Sequence, residues 1–212
     1  MKKQANKFLF GFAEEFKRNV PQNEGDELLY QFCRDYIDGG RFDGHKRFGL
    51  SLPFQLTELL SDYFIRECKA EKMPQMRWAV QIFGRYYNPH DPNQEELKTY
   101  DILEKVYEHP DCDQMTVNLY LEKQVGCLEF GAHHFPEGCC IDREEYEDAI
   151  QTAERIIFEK VVPANLVEET RYYKALYELY FKWSDSGRVG DFAELCAAHG
   201  IEFHEIRAFY YE

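Results

Sequence analysis

The spacing of apolar residues constrains the fold of this chain more than any other feature of its sequence. Phe8, Phe12 and Phe16 lie four residues apart, and apolar residues recur at i, i+3, i+4 and i+7 in most of the segments that follow. This spacing places them on one face of an α-helix, whereas a half-buried strand would show strict alternation. The sequence therefore predicts an all-α protein with about nine or ten helices.

Helix-breaking residues divide these segments. Asp142 precedes an acidic first turn and is predicted to cap a helix that runs to Pro163. The run 88–93, Asn-Pro-His-Asp-Pro-Asn, contains two prolines and is predicted to separate two helical regions. We therefore expect an N-terminal helical subdomain over 1–88 and an acidic helical-repeat subdomain over 89–212, with one continuous domain as the alternative.

Acidic residues outnumber basic ones and are concentrated in the second half of the chain. The 212 residues include 39 Asp and Glu against 25 Lys and Arg, a formal net charge of −14. Residues 1–106 carry 16 basic and 17 acidic side chains, whereas residues 107–212 carry 9 and 22. An acidic surface repels phosphate backbones, so these charges argue against a nucleic-acid partner and favour a basic protein partner. The alternative is that acidic helix surfaces mainly aid solubility.

The sequence has features expected of a cytoplasmic protein. No apolar run approaches the ~20 residues that span a bilayer, so no membrane contact is predicted. The apolar stretch 8–13 is interrupted by Glu14 and Glu15, which leaves no core for a signal peptide. There are seven cysteines, an odd number, and most fall on the apolar face of a predicted helix. Disulfide frameworks of secreted proteins usually have an even number, so these thiols are expected to be reduced and buried.

Two predicted helix ends resemble one another and indicate a repeat. Residues 100–110 and 153–163 both close on a proline, each is followed by a longer aromatic helix, and each of those helices ends at a breaker. In a helical-repeat array, each hairpin leaves an apolar face that the next hairpin covers. The spacing therefore predicts antiparallel helical hairpins stacked as a short α-solenoid.

One segment carries a family resemblance. Residues 145–157 resemble the second helix of a tetratricopeptide repeat, in which an aromatic and two small residues let paired helices pack closely. Tyr146, Ala149 and Ala153 occupy comparable places, and Pro163 follows the helix. The resemblance implies tetratricopeptide-like packing and, by analogy, a binding scaffold with a concave groove.

One cluster contains residue types that bind metals. Glu129 and His133 lie four residues apart, so a helix would place them on one face, and Cys139 and Cys140 follow on a predicted loop. Such donors suit Zn²⁺. Adjacent cysteines seldom both ligate one ion, so the main prediction is no metal, with a Glu129, His133 and Cys139 site as the alternative.

A second segment resembles an enzyme motif. Arg85 and His90 have the Arg-x4-His spacing found in the helical HEPN ribonucleases, where both residues converge on a scissile phosphate. Pro89 would break the helix between them. Together with the metal-like cluster, this motif supports the alternative of a helical enzyme, either a ribonuclease or a metal-dependent hydrolase.

Aromatic residues recur beside basic ones along the chain. Tyrosine and arginine are enriched at the hot spots of protein interfaces. If the helices stack, some of these side chains would share one surface. The residues predicted to form a partner-binding face are Arg85, Tyr87, Tyr120, Lys123, Tyr173 and Tyr177.

The sequence is therefore interpreted as a non-catalytic protein-binding or regulatory module without a cofactor. An inhibitor or immunity-type protein is the specific version, because an acidic helical protein suits the masking of a basic enzyme. Two alternatives remain: the helical enzyme, and a homodimer formed through the apolar segment 203–211.

Overall fold

The computed structural model of the protein describes residues 2–39, 52–83 and 99–203. All regular secondary structure in these three ranges is helical, which confirms the predicted all-α class. Nine α-helices, one π-helical turn and one 3-10 turn lie in the described part of the chain. None of the helices described there is long and apolar enough to cross a membrane.

The chain divides into two compact units, residues 1–112 and residues 113–212. The predicted boundary at 88/89 lies outside the described residues. The helices of the first unit are α1 (Lys2–Asn19), α2 (Gln22–Cys33), α3 (Phe54–Lys69), α4 (Gln75–Phe83) and α5 (Thr99–Glu108), with a π-helical turn (Arg34–Asp38) after α2. Those of the second are α6 (Gln114–Gly131), α7 (Arg143–Glu159), α8 (Ala164–Asp185) and α9 (Phe192–Ala198), with a 3-10 turn (Ala132–His134) after α6.

Aspartate caps begin three helices of the second unit. Asp113, Asp142 and Asp191 each accept a hydrogen bond from a backbone N–H three residues later, at 2.8 to 2.9 Å. At α7 the Glu145 carboxylate also accepts from the Asp142 N–H, which completes a capping box. These bonds satisfy N–H groups that a helix start leaves without a partner. The predicted cap at Asp142 is confirmed.

The core of the first unit is centred on α3 and α4. Phe64 and Phe83 are fully buried and pack edge to face, with 6.0 Å between ring centroids. All side chains of α4 except that of Gln81 are buried, and α4 contacts both α3 and α5. A helix buried on nearly all sides belongs in the interior of its unit.

The core of the second unit is aromatic and closely packed. Tyr177 of α8 is fully buried, and its hydroxyl donates a hydrogen bond to the Leu128 carbonyl of α6 at 2.9 Å. A Cβ at Gly131 would overlap both the Tyr177 hydroxyl and the Ile141 side chain, so α6 and α8 approach this closely only because residue 131 is glycine. α6 also packs against α7, and α8 packs against α9.

Candidate partner-binding surface

The residues predicted to form a partner-binding face differ in how far they are buried. Arg85 and Tyr87 lie outside the described residues. Tyr120 is buried on α6, and Tyr177 is buried on α8. Lys123 and Tyr173 are half-buried on the same two helices. The two described positions that retain exposed surface, Lys123 and Tyr173, therefore stay predicted contacts.

Tyr177 has the environment of a core residue. Its ring stacks on Tyr146, with 4.7 Å between centroids, and meets Phe135 edge to face at 5.1 Å. Burial is the main reason that the pKa of Tyr177 is raised far above its ordinary value. A side chain with no exposed surface offers no contact to a partner. Tyr177 is therefore a core residue and not part of a binding surface. Tyr120, which is 5% exposed, belongs to the core in the same way.

Lys123 and Tyr173 lie in more accessible surroundings. Burial lowers the pKa of Lys123, and the charge of Glu122 partly opposes this effect. The Tyr173 ring lies edge to face with Tyr172, with 5.1 Å between centroids. The Tyr172 hydroxyl donates to the Glu202 carbonyl at 3.1 Å, which connects α8 to the segment after α9.

The structure describes only one of the two enzyme motifs, the metal-like cluster. In the described ranges, no three His, Cys, Asp or Glu side chains are arranged to hold a metal ion. Of the metal-like cluster, Cys139 packs against the aromatic core, and burial is the first cause of its raised pKa. Arg85 and His90 lie outside the described residues.

Helix α7 presents an acidic face to solvent. Its inner face is buried against the rest of the second unit and consists of Tyr146, Ala149, Ile150, Ala153 and Ile156. The outer face follows steps of three and four residues, which keep side chains on one side of a helix. Its exposed members are Glu144, Glu147, Asp148, Gln151, Glu154 and Phe158, and the half-buried Arg155 lies among them.

Phe158 and Val161 stand at the end of this acidic face. Phe158 is 91% exposed, and Val161, in the turn after α7, is 85% exposed. The Gln114 side chain of α6 donates a hydrogen bond to the Val161 carbonyl at 2.7 Å, which holds the segment after α7 against α6. Exposed carboxylates thus lead along α7 to two apolar side chains that protrude into solvent.

The second unit carries a large excess of acidic side chains. Residues 113–212 carry 20 acidic and 9 basic side chains. Two basic side chains at the margin of α7 are already paired: Lys174 with Glu154, and Arg143 with Asp185 at 3.0 Å. Arg143 also lies over the Phe181 ring, 4.4 Å from its centroid. These pairings reduce the positive charge that the two residues present to a partner, and the first also occupies the Glu154 carboxylate of the α7 face.

Sequence reasoning missed Phe158. Ile156, Ile157 and Phe158 form one apolar run, and the partner-binding face predicted from the sequence does not include Phe158. The helical register carried the missing signal, because Phe158 lies four residues after Glu154 and seven after Gln151, in line with the polar face.

No family model, no curated protein and no solved structure matches this chain.

Proposed function

We propose that this chain is a non-catalytic protein-binding module, of the regulatory or inhibitor type, that binds a basic protein partner through the outer face of α7. The observation that carries the proposal is Phe158, which is 91% exposed at the end of a row of exposed carboxylates. An exposed aromatic side chain suits the role of an apolar anchor. The row of carboxylates supplies the opposite charge for lysine and arginine side chains around it.

The charge of the second unit supports a basic partner. A surface dominated by one sign of charge attracts a partner of the other sign over the Debye length and raises the association rate. At the contact itself, the carboxylates of Glu144 and Glu147 are the groups that Lys or Arg side chains would meet. The interaction should therefore weaken as salt is added.

Tetratricopeptide-like packing is part of the proposal for the second unit. The two small residues of the resemblance, Ala149 and Ala153, are buried, and Tyr146 stacks on Tyr177 of α8. α7 packs against both α6 and α8. These contacts support close helix pairing of the kind that small residues allow. Stacking of such hairpins into a short solenoid remains proposed.

A cytoplasmic location completes the proposal. All seven cysteines are free thiols, and Cys33 and Cys196 are fully buried. Free, buried cysteines are usual in a reducing compartment. The basic protein that this module regulates or inhibits would then be a cytoplasmic protein.

Affinity capture with matched variants tests the proposal. The tagged full chain is used to capture proteins from a native lysate at ~50 mM and ~200 mM salt, and the bound proteins are identified by mass spectrometry. A face variant carries Glu144→Gln, Glu147→Gln and Phe158→Ala. We expect a basic protein that binds the parent chain at the lower salt and is lost from the face variant.

A control variant separates the α7 face from general charge. Glu137→Gln and Glu168→Gln remove two exposed carboxylates elsewhere in the second unit, and Val189→Ala truncates an exposed apolar side chain. The control should retain the captured protein. Equal loss from the face and control variants, or capture of acidic proteins alone, would contradict binding at α7.

A further inference from the structure

A cavity of about 310 Å³ lies in the first unit, between the end of α1, the start of α2 and α3. Sites for small molecules are typically concave and of this size, with apolar walls and a few polar groups that orient the ligand. The apolar part of the lining here consists of Phe16, Val20, Leu29 and Leu59. Three of these side chains also line an adjoining apolar cavity of about 220 Å³. The cavity therefore has room for an apolar group.

Four charged side chains line the same cavity. Lys17 comes from α1, Asp26 from α2, and Asp62 and Arg66 from α3. Two of them are cationic and two are anionic, so the charged lining is neutral as a whole. Other charged residues of the three helices nearby are exposed and do not belong to the lining: Arg18, Glu24, Glu27 and Glu58.

Hydrogen bonds hold one of the two opposite-charge pairs. The Arg66 guanidinium donates to the Asp26 carboxylate and, at 2.9 Å, to the backbone carbonyl of Asp62. Breaking charge-assisted bonds of this kind is costly. We therefore expect the charged groups of a ligand to meet the other pair.

The other pair is close but not hydrogen-bonded. Lys17 Nζ lies 3.7 Å from a carboxylate oxygen of Asp62, which is longer than a hydrogen bond. The two side chains are 39% and 69% exposed, so both are accessible from solvent. An ammonium group donates three hydrogen bonds, and a carboxylate accepts several. Lys17 and Asp62 can thus bind a ligand without losing a hydrogen bond to each other.

A ligand that carries both charges matches this pair. A lone carboxylate would be attracted by Lys17 and repelled by Asp62, and a lone ammonium would meet the reverse. A molecule with both groups on one carbon atom presents two opposite charges a short distance apart, as Lys17 and Asp62 do. Free α-amino acids have this arrangement.

The buried part of the lining favours an apolar ligand side chain. Leu59 and Tyr63 of α3 are 6% and 2% exposed. Burial raises the pKa of Tyr63 far above its ordinary value, so its hydroxyl is uncharged at neutral pH. Placing a charged ligand side chain against these residues costs more than placing an apolar one there.

We propose that this cavity binds a small zwitterion of the apolar α-amino-acid class. The carboxylate of the ligand accepts from Lys17, its ammonium donates to Asp62, and its side chain packs against Phe16 and Leu59. The cavity belongs to the first unit, whereas the proposed contact at α7 belongs to the second. The inference therefore does not depend on the proposed function.

Calorimetric titration of the full chain with free amino acids tests the cavity. The probes are L-leucine and L-phenylalanine. Two control ligands lack one charge each: isocaproate is leucine without its amino group, and isoamylamine is leucine without its carboxylate. Two more, L-glutamate and L-lysine, have charged side chains. We expect both probes to bind and all four controls to bind at least about tenfold more weakly. Absence of binding of either probe at ~10 mM would overturn the proposal.

Variants of the chain locate the two charged contacts. Lys17→Met should weaken leucine binding about tenfold and should not weaken isoamylamine, which has no carboxylate. Asp62→Asn should weaken leucine to a similar extent and should not weaken isocaproate, which has no ammonium. An exposed ion pair contributes little to stability, so both variants should fold, and circular dichroism checks this.

A matched control variant and three other outcomes decide the proposal. Arg18→Met with Glu58→Gln removes exposed charges of α1 and α3 outside the lining and should leave leucine binding unchanged. Equal loss in this control would assign the effect to general charge. Equal affinity of isocaproate and leucine would mean an anion site, and equal affinity of isoamylamine and leucine would mean a cation site. Each of these three results would exclude a zwitterion site.

Discussion

The carboxylate of Asp38 holds the guanidinium of Arg77 through two hydrogen bonds, at 2.8 and 3.1 Å. The Arg77 side chain is 4% exposed and the Asp38 side chain is 29% exposed, so a buried guanidinium meets a partly exposed carboxylate. The same carboxylate accepts a hydrogen bond from the Trp78 indole N–H at 3.0 Å. The π-helical turn after α2 ends at Asp38, so these three hydrogen bonds fix that turn against α4.

Removal of the Asp38 carboxylate should destabilise the first unit. In the Asp38→Ala variant Arg77 remains buried without its counter-ion, and the Trp78 indole loses its acceptor. Because the Asp38 carboxylate is itself partly exposed, we expect a loss of about 1–3 kcal/mol in the free energy of unfolding. Urea unfolding followed by circular dichroism measures the change. Asp35→Ala, which removes an exposed pair with Arg34, should cost less than about 1 kcal/mol; equal losses would mean that the Asp38 pair does not carry this stability.

Two glycines should respond to alanine with opposite signs. Gly131→Ala places a methyl group against the Tyr177 hydroxyl and Ile141, and we expect a loss of about 1–3 kcal/mol in the free energy of unfolding. Gly11→Ala in α1 meets no atom within 4 Å and should stabilise its helix by about 0.5–1 kcal/mol. Thermal unfolding of both variants tests this.

A second substitution identifies the source of the Gly131 effect. Tyr177→Phe removes the hydroxyl that a new methyl group would meet. The Gly131→Ala substitution should therefore cost less in a Tyr177→Phe chain than in the parent chain. An unchanged cost would assign the effect to Ile141 or to the α6 backbone.

The protein should lose stability as the pH rises above 9. Burial raises the pKa of Cys33 from 9.0 to about 12, that of Cys196 from 9.0 to about 11, and that of Tyr146 from 10.0 to about 12. The unfolded chain therefore releases these protons at a lower pH than the folded chain. Since the unfolded state then binds fewer protons, the free energy of unfolding falls as pH rises.

Urea midpoints between pH 8 and pH 11 measure this dependence. Cys33→Ala removes one of the three groups, so its midpoint should fall less steeply than that of the parent chain. A midpoint that does not change up to pH 11 would contradict the raised pKa values of the buried groups.

Phe158 should be dispensable for folding. Its ring is 91% exposed, and Phe158→Ala should change the free energy of unfolding by less than about 0.5 kcal/mol. Phe192 is 2% exposed in the aromatic core, and Phe192→Ala should cost about 3–5 kcal/mol. Chemical unfolding compares the two. A large loss for Phe158→Ala would give this ring a structural role in place of the proposed contact.

Local patterns in the sequence were sufficient for the helices and for some of their ends. Periodicity predicted the all-α class, and Asp142 before an acidic turn predicted the start of α7. Both depend on residues within a few positions of one another. In the run 156–158, apolar composition alone does not distinguish the outward-facing Phe158 from the buried Ile156; the helical register relative to Gln151 and Glu154 does.

The helical class, the acidic second half and the many aromatic residues can all be read from the sequence. The tertiary structure, in contrast, places Tyr177 beneath Gly131 and leaves Phe158 projecting into solvent. It also brought Asp38 to Arg77, thirty-nine residues away. Helical periodicity specifies which residues share a face, whereas burial depends on which other helix covers that face, and this is a property of contacts distant in sequence.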